Sequence, residues 1–121
     1  MVQLNDVFAA LADETRRRIL GLLASGEICV CHIHEALDVP QSTASRHLAH
    51  LRKAGLVATR RDGLWVHYRL AEFEDPAVAG VLRSTLSALH STEGTDQDRK
   101  KLSKLILIPV KTLEKSAKRC C

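Results

Sequence analysis

Residues 41–70 read QSTASRHLAHLRKAGLVATRRDGLWVHYRL, and the change of period inside this stretch decides the fold. In its first half Ala44, Leu48 and Leu51 recur at three- and four-residue steps. They therefore share one face of a helix, while Ser42, Ser45, Arg46 and Lys53 point away from it. Gly55 ends that helix. In the second half two alternating runs flank Asp62-Gly63, and glycine accepts the positive φ that a tight hairpin turn requires. The pattern predicts an amphipathic helix followed directly by a basic β-hairpin.

Just upstream, ICVCHIHEALDV supplies Ile33, Ala36 and Leu37 for a shorter helix, and Asp38-Val39-Pro40 stops it. A short helix, a tight turn, a second helix and a hairpin make a winged helix-turn-helix. The fold class expected is mainly α with a small β-hairpin. Two more helices precede this unit. One runs over Gln3–Leu11 with Leu4, Val7, Phe8 and Leu11 on a stripe. The other is capped by Asp13, passes through Arg16-Arg17-Arg18 to Ile19, Leu20, Leu22 and Leu23, and is closed by Gly26. Pro76 opens a last body helix reaching His90, with Val78, Val81, Leu82, Leu86 and Leu89 on one side. Beyond it, STEGTDQD (residues 91–98) reads as a polar linker into a lysine-rich segment, where the apolar run Leu105–Ile108 is cut by Pro109. The chain divides into a body, residues 1–92, and a basic C-terminal tail, residues 93–121, ending in the pair Cys120-Cys121.

A length of 121 residues fits one domain. With only 3% aromatic residues, the core must be built from Leu, Val, Ile and Ala, which favours helices. No apolar run approaches the ~20 residues of a membrane span, and the N-terminus lacks the layout of a signal peptide. A cytoplasmic protein with no membrane association is expected. In a reducing cytosol four cysteines point to metal binding or reactivity rather than to a disulfide framework. The net charge of +4 is unevenly spread: Met1 to Glu93 holds 10 Lys/Arg against 11 Asp/Glu, and the remainder holds 8 against 3. Within the body, Arg46, Arg52, Lys53, Arg60 and Arg61 follow one another with no acidic residue before Asp62.

That local basic patch belongs to the helix-turn-helix and points to double-stranded DNA as partner. The first turns of the second helix would enter the major groove, where Gln41, Ser42, Thr43, Ser45 and Arg46 carry groups suited to base edges and phosphates. Arg60 and Arg61 on the wing would neutralise backbone phosphates or reach into the minor groove. A polar helix face is often only a solvated surface; the basic wing beside it favours nucleic acid.

The segments LADETRRRILGLL (11–23), ICVCHIHEAL (28–37), QSTASRHLAHLRKAGLV (41–57) and RDGLWVHYRL (61–70), in this order and spacing, resemble the ArsR/SmtB family of metalloregulatory repressors. The resemblance covers roughly residues 5–90 and leaves the tail outside. It implies a homodimeric winged-helix repressor that occupies its promoter until an inducer lowers its affinity for DNA. It also implies that the first and last body helices form the dimer interface.

Cys29 and Cys31 precede or form the first turn of the third helix, where unpaired N–H groups, the helix dipole and nearby His32 favour thiolate. Residues i and i+2 face opposite sides of a helix but the same side of an extended chain. Chelation by both thiols therefore asks the backbone to distort there. The CVC motif at this place resembles the arsenic-responsive branch of the family. The resemblance implies arsenite or antimonite, As(III) or Sb(III), as inducer, with no permanently bound cofactor. In that branch a third cysteine commonly stands where this chain has His34, which reads as a helix-surface residue. Cys120 and Cys121 are the alternative third donors. A two-thiol site would instead suit a methylated trivalent arsenical. Cadmium or lead through Cys29, Cys31 and a tail cysteine stays open, as does thiol oxidation. The family's zinc type is incompletely represented: Asp75, His90 and Glu93 are present, but Ala77, Val78 and Ala79 stand where a second histidine is expected. A thiol-dependent enzyme such as an arsenate reductase is disfavoured, because the chain has neither a Gly-rich phosphate loop nor a C-x-x-C motif.

Overall fold

The computed structural model describes residues 3–89 and 93–106. In chain order the elements are α1 (Leu4–Leu11), α2 (Glu14–Leu23), β1 (Ile28–Cys29), α3 (Val30–Leu37), α4 (Gln41–Lys53), β2 (Val57–Asp62), β3 (Trp65–Leu70), α5 (Pro76–Leu89) and α6 (Glu93–Ile106). The winged helix-turn-helix expected from residues 28–70 is present.

The caps explain where the helices begin and end. Asp13 sits in extended conformation ahead of α2, and its carboxylate accepts the Arg16 N–H at 3.0 Å. Asp75 does the same ahead of α5, accepting the Ala77 N–H at 2.9 Å. Asp38 closes α3 in the left-handed region at φ 56°, which aspartate tolerates better than most residues. The arginine triple is structural. Arg16 donates to the carbonyls of Ala9 and Ala10, and Arg17 to that of Leu11, so both cap the C-terminus of α1.

The hairpin turns through Gly63 and Leu64, with Gly63 alone taking a positive φ, 61°. Its strands pair from Val57 with Leu70 to Asp62 with Trp65. A third strand escapes the sequence pattern: β1 pairs antiparallel with β3, Ile28 opposite Tyr68 and Cys29 opposite His67, giving the sheet order β1-β3-β2. The core beneath gathers Ile19, Leu20, Leu22 and Leu23 of α2, Ile33 and Leu37 of α3, and Leu48 and Leu51 of α4, with Leu56 and Val78.

Residues 93–98, part of the stretch that reads as a polar linker, are instead the first part of α6, which packs on α2 and α3. Its inward positions, Thr95, Asp98, Leu102 and Leu105, recur at steps of three and four. Two of the four are polar, so no apolar stripe betrays the helix. Asp98 tolerates burial because Arg18 of α2 holds it with both prongs, Nε to Oδ2 at 2.9 Å and Nη2 to Oδ1 at 2.7 Å. Gly21 lets the helices close up, since a Cβ there would stand 3.1 Å from Thr95 Cγ2. His90 and the terminal cysteines, Cys120 and Cys121, lie outside the described residues.

Candidate nucleic-acid interface and thiol site

Ala44, Leu48 and Leu51 are buried and fix the roll of α4. That leaves Ser42 and Arg46 exposed and Gln41, Thr43 and Ser45 half-buried along the outer side of its first turns. No side chain caps this N-terminus; Pro40 precedes it in an extended conformation. Helix dipole and first-turn N–H groups thus favour an anion there. Gln41 Nε2 donates to Ser45 Oγ at 2.7 Å, so two of the expected reading side chains already hold one another in place.

His47 lies on the inner flank of α4. It faces Arg16 Nη1 at 3.4 Å and lies 4.0 Å from the Asp13 carboxylate. Burial pushes its pKa down, the Asp13 charge opposes that, and Arg16, Arg46 and His50 add to it, leaving it below the ordinary imidazole value. His47 therefore ties α4 to the start of α2 as a packing residue.

On the wing the two arginines differ. Arg61 is exposed. Arg60 is exposed too, but Glu27 already grips it, with Arg60 Nη2 and Nε donating to Oε1 at 2.6 and 3.0 Å. The hydrogen bond from Arg60 holds the Glu27 pKa below its ordinary value. In the sequence Arg60 and Arg61 look alike, because the loop that brings Glu27 beside Arg60 leaves no local signal. A phosphate approaching Arg60 competes with Glu27 for its guanidinium.

The thiol pair straddles a change of structure. Cys29 ends β1 and is the N-cap of α3, at φ −70° and ψ 144°, whereas Cys31 lies in the first helical turn. Both are buried, 8% and 2% exposed, within the main apolar core, and neither is in a disulfide. The expected place at the helix start is observed, and the pair there is buried. Apolar neighbours Ile28, Val30 and Ile33 draw this corner inward. His32 sits alongside, its Nε2 buried with no hydrogen-bond partner among the described residues. Burial pushes its pKa down, the nearby Cys29 opposes this, and His67 adds to it. His34 lies with Nδ1 3.3 Å from the Val39 carbonyl, beside the turn into α4. Among the described residues no three His, Cys, Asp or Glu side chains are grouped to hold a metal ion, and no helix is long and apolar enough to cross a membrane.

A recognition helix with a free outer face, supported by a buried helix and flanked by a basic wing, defines a DNA-binding regulator. Residues 13–59 match the family model described as bacterial regulatory protein, arsR family. Over 89 residues the chain is 47% identical to the arsenic resistance transcriptional regulator ArsR2 of Pseudomonas putida, covering 73% of this chain and 77% of that one. Reduced HlyU from Vibrio cholerae superposes with a TM-score of 0.62 at 32% identity, covering 74% and 90% of the two chains. The AntR antimony-specific transcriptional repressor superposes with 0.57 at 32% identity, covering 69% and 74%. The chain belongs to the arsR family of bacterial regulatory proteins. It spans 56 to 77% of the length of the first curated relatives it matches.

Proposed function

We propose that this chain is an operator-binding transcriptional repressor, active as a homodimer in the cytoplasm, that leaves DNA when trivalent arsenic or antimony binds Cys29 and Cys31. The observation that carries the reading is the position of the pair. Cys29 is tied to the wing through its pairing with His67 on β3, and Cys31 lies in α3, which supports α4. One ion gripping both sulfurs must bring an extended residue and a helical residue to a common side. This strains the wing and the recognition helix together. Arsenous acid would exchange two hydroxides for two thiolates, each hydroxide leaving as water with a thiol proton, so two As–S bonds form without change of oxidation state. Typical couplings between such sites are about 1–3 kcal/mol, enough to empty an operator.

The reading is supported by the arsenic resistance regulators among its relatives. Gln41, Ser42, Thr43, Ser45 and Arg46 would read the major groove, with Arg60 and Arg61 on phosphates. For the third sulfur that As(III) prefers, Cys120 or Cys121 of either subunit is the donor proposed, the tail being part of the sensor while residues 1–92 bind DNA and dimerise. The engagement of His34 with the Val39 carbonyl favours one second reading, a two-sulfur site for a monomethylated trivalent arsenical. The test is titration of the DNA-bound protein with arsenite, a monomethyl arsenical, antimonite, cadmium and zinc, following release by anisotropy. Release by arsenite or antimonite well below the concentrations needed for cadmium and zinc is the expected result. Release led by cadmium or zinc would overturn it.

A further inference from the structure

The excess positive charge of this chain begins in α6, outside the helix-turn-helix. Two acidic side chains of this helix are engaged, Asp98 by Arg18 and Asp96 by Arg99 at 3.2 Å. Lys100, Lys101 and Lys104 are exposed, Lys100 and Lys104 opposite the buried Thr95, Asp98 and Leu102 and Lys101 on the flank between. No hydrogen bond or ion pair to these three lysines is found among the described residues.

The placement of this face is fixed. Thr95 lies against Gly21 and Asp98 against Arg18, so α6 runs antiparallel to α2. The guanidinium that holds Asp98 also donates, through Nη2 at 3.3 Å, to the carbonyl of Leu37. Leu37 is the last residue of α3, and the turn after it leads into α4. One arginine therefore rivets the start of the lysine-bearing turns to the corner of the helix-turn-helix. Lysines carried on a docked helix beside a DNA-reading unit match the charge of a phosphate backbone, and the helix itself needs no further ordering on binding.

We infer that α6 is a second DNA-contacting element, whose Lys100, Lys101 and Lys104 lie along the phosphates flanking the segment read by α4 and the wing. The inference rests on the operator-binding reading above. It adds a sequence-independent interaction that lengthens the footprint.

The test uses the full chain, with Lys100, Lys101 and Lys104 all changed to Gln, and operator duplexes of two lengths, one trimmed to the segment under α4 and the wing. Each phosphate left without its lysine lowers the slope of log affinity against log salt by about 0.9, and shrinks the affinity ratio between 50 and 200 mM salt about threefold. The expected result is a reduced slope, with the wild type losing affinity on trimming and the variant indifferent to it. If the variant keeps the wild-type slope and the same sensitivity to trimming, while Arg61→Ala lowers the slope in the same assay, α6 does not touch DNA and the operator-binding reading stands. If the wild type binds neither duplex, both fall.

Discussion

Arg18 holds Asp98 from two nitrogens across the α2–α6 boundary, yet the two side chains are unequally covered, 28% and 4% exposed. The pair should therefore respond asymmetrically to truncation. Asp98→Ala leaves a guanidinium that can turn to water, costing about 1–2 kcal/mol. Arg18→Ala strands a buried carboxylate and frees the Leu37 carbonyl, costing about 3–4 kcal/mol. Urea denaturation of both single variants and the double variant checks this, and the double should cost less than the sum of the singles. Equal losses would mean that α6 does not dock as described.

Cys29→Ala and Cys31→Ala should each keep operator binding and lose release by arsenite, giving permanent repressors. Alanine is the substitution of choice here, because both sites lie in the apolar core and alanine removes the sulfur donor without adding a hydroxyl there. Anisotropy of labelled operator under an arsenite titration reads both properties. Release at the wild-type concentration in either variant would move the inducer site elsewhere.

On DNA the arginines should separate by role. Arg46→Ala should weaken specific operator binding by about 1–3 kcal/mol if it reads a base, while Arg61→Ala should weaken all sequences alike and lower the salt slope by about one. Glu27→Gln should act in the opposite sense: it releases Arg60 from its present carboxylate and should steepen the salt slope by about one. Binding isotherms at several salt concentrations distinguish the three.

Acidification should reveal His47. Its folded pKa lies below the ordinary imidazole value, so between that lowered value and about 6.5 the unfolded chain binds more protons than the folded one. Stability from this residue is then complete above about pH 6.5 and declines as pH falls through the window. Thermal unfolding of the wild type and His47→Gln, from neutral pH down to about one unit below that window, should show the difference between them narrowing or reversing on the acid side. A constant difference would exclude a titrating His47.

Much of this architecture is written locally. Asp13, Pro40, Gly55 and Gly63 mark caps and turns within a few residues of what they terminate, so α2, α4 and the hairpin are legible from spacing alone. β1 is not, because two residues carry no period and their partners, Tyr68 and His67, are distant in the chain. Nor is α6, since Thr95 and Asp98 face inward where an apolar stripe would have to stand. At the candidate site, the outer residues of α4 follow from helix geometry. The capture of Arg60 by Glu27 and the burial of Cys29 and Cys31 depend on tertiary packing.

That burial also sets a clock. A thiol buried in the same apolar core as Ile28, Val30 and Ile33 reacts only as often as that corner opens, so supplying more arsenite would speed the response only up to the frequency of that opening. The rate of release, followed by stopped flow, should climb with arsenite and then level off, the plateau reporting how often the β1–α3 corner breathes. A pulse shorter than the mean interval between openings would leave such a site empty.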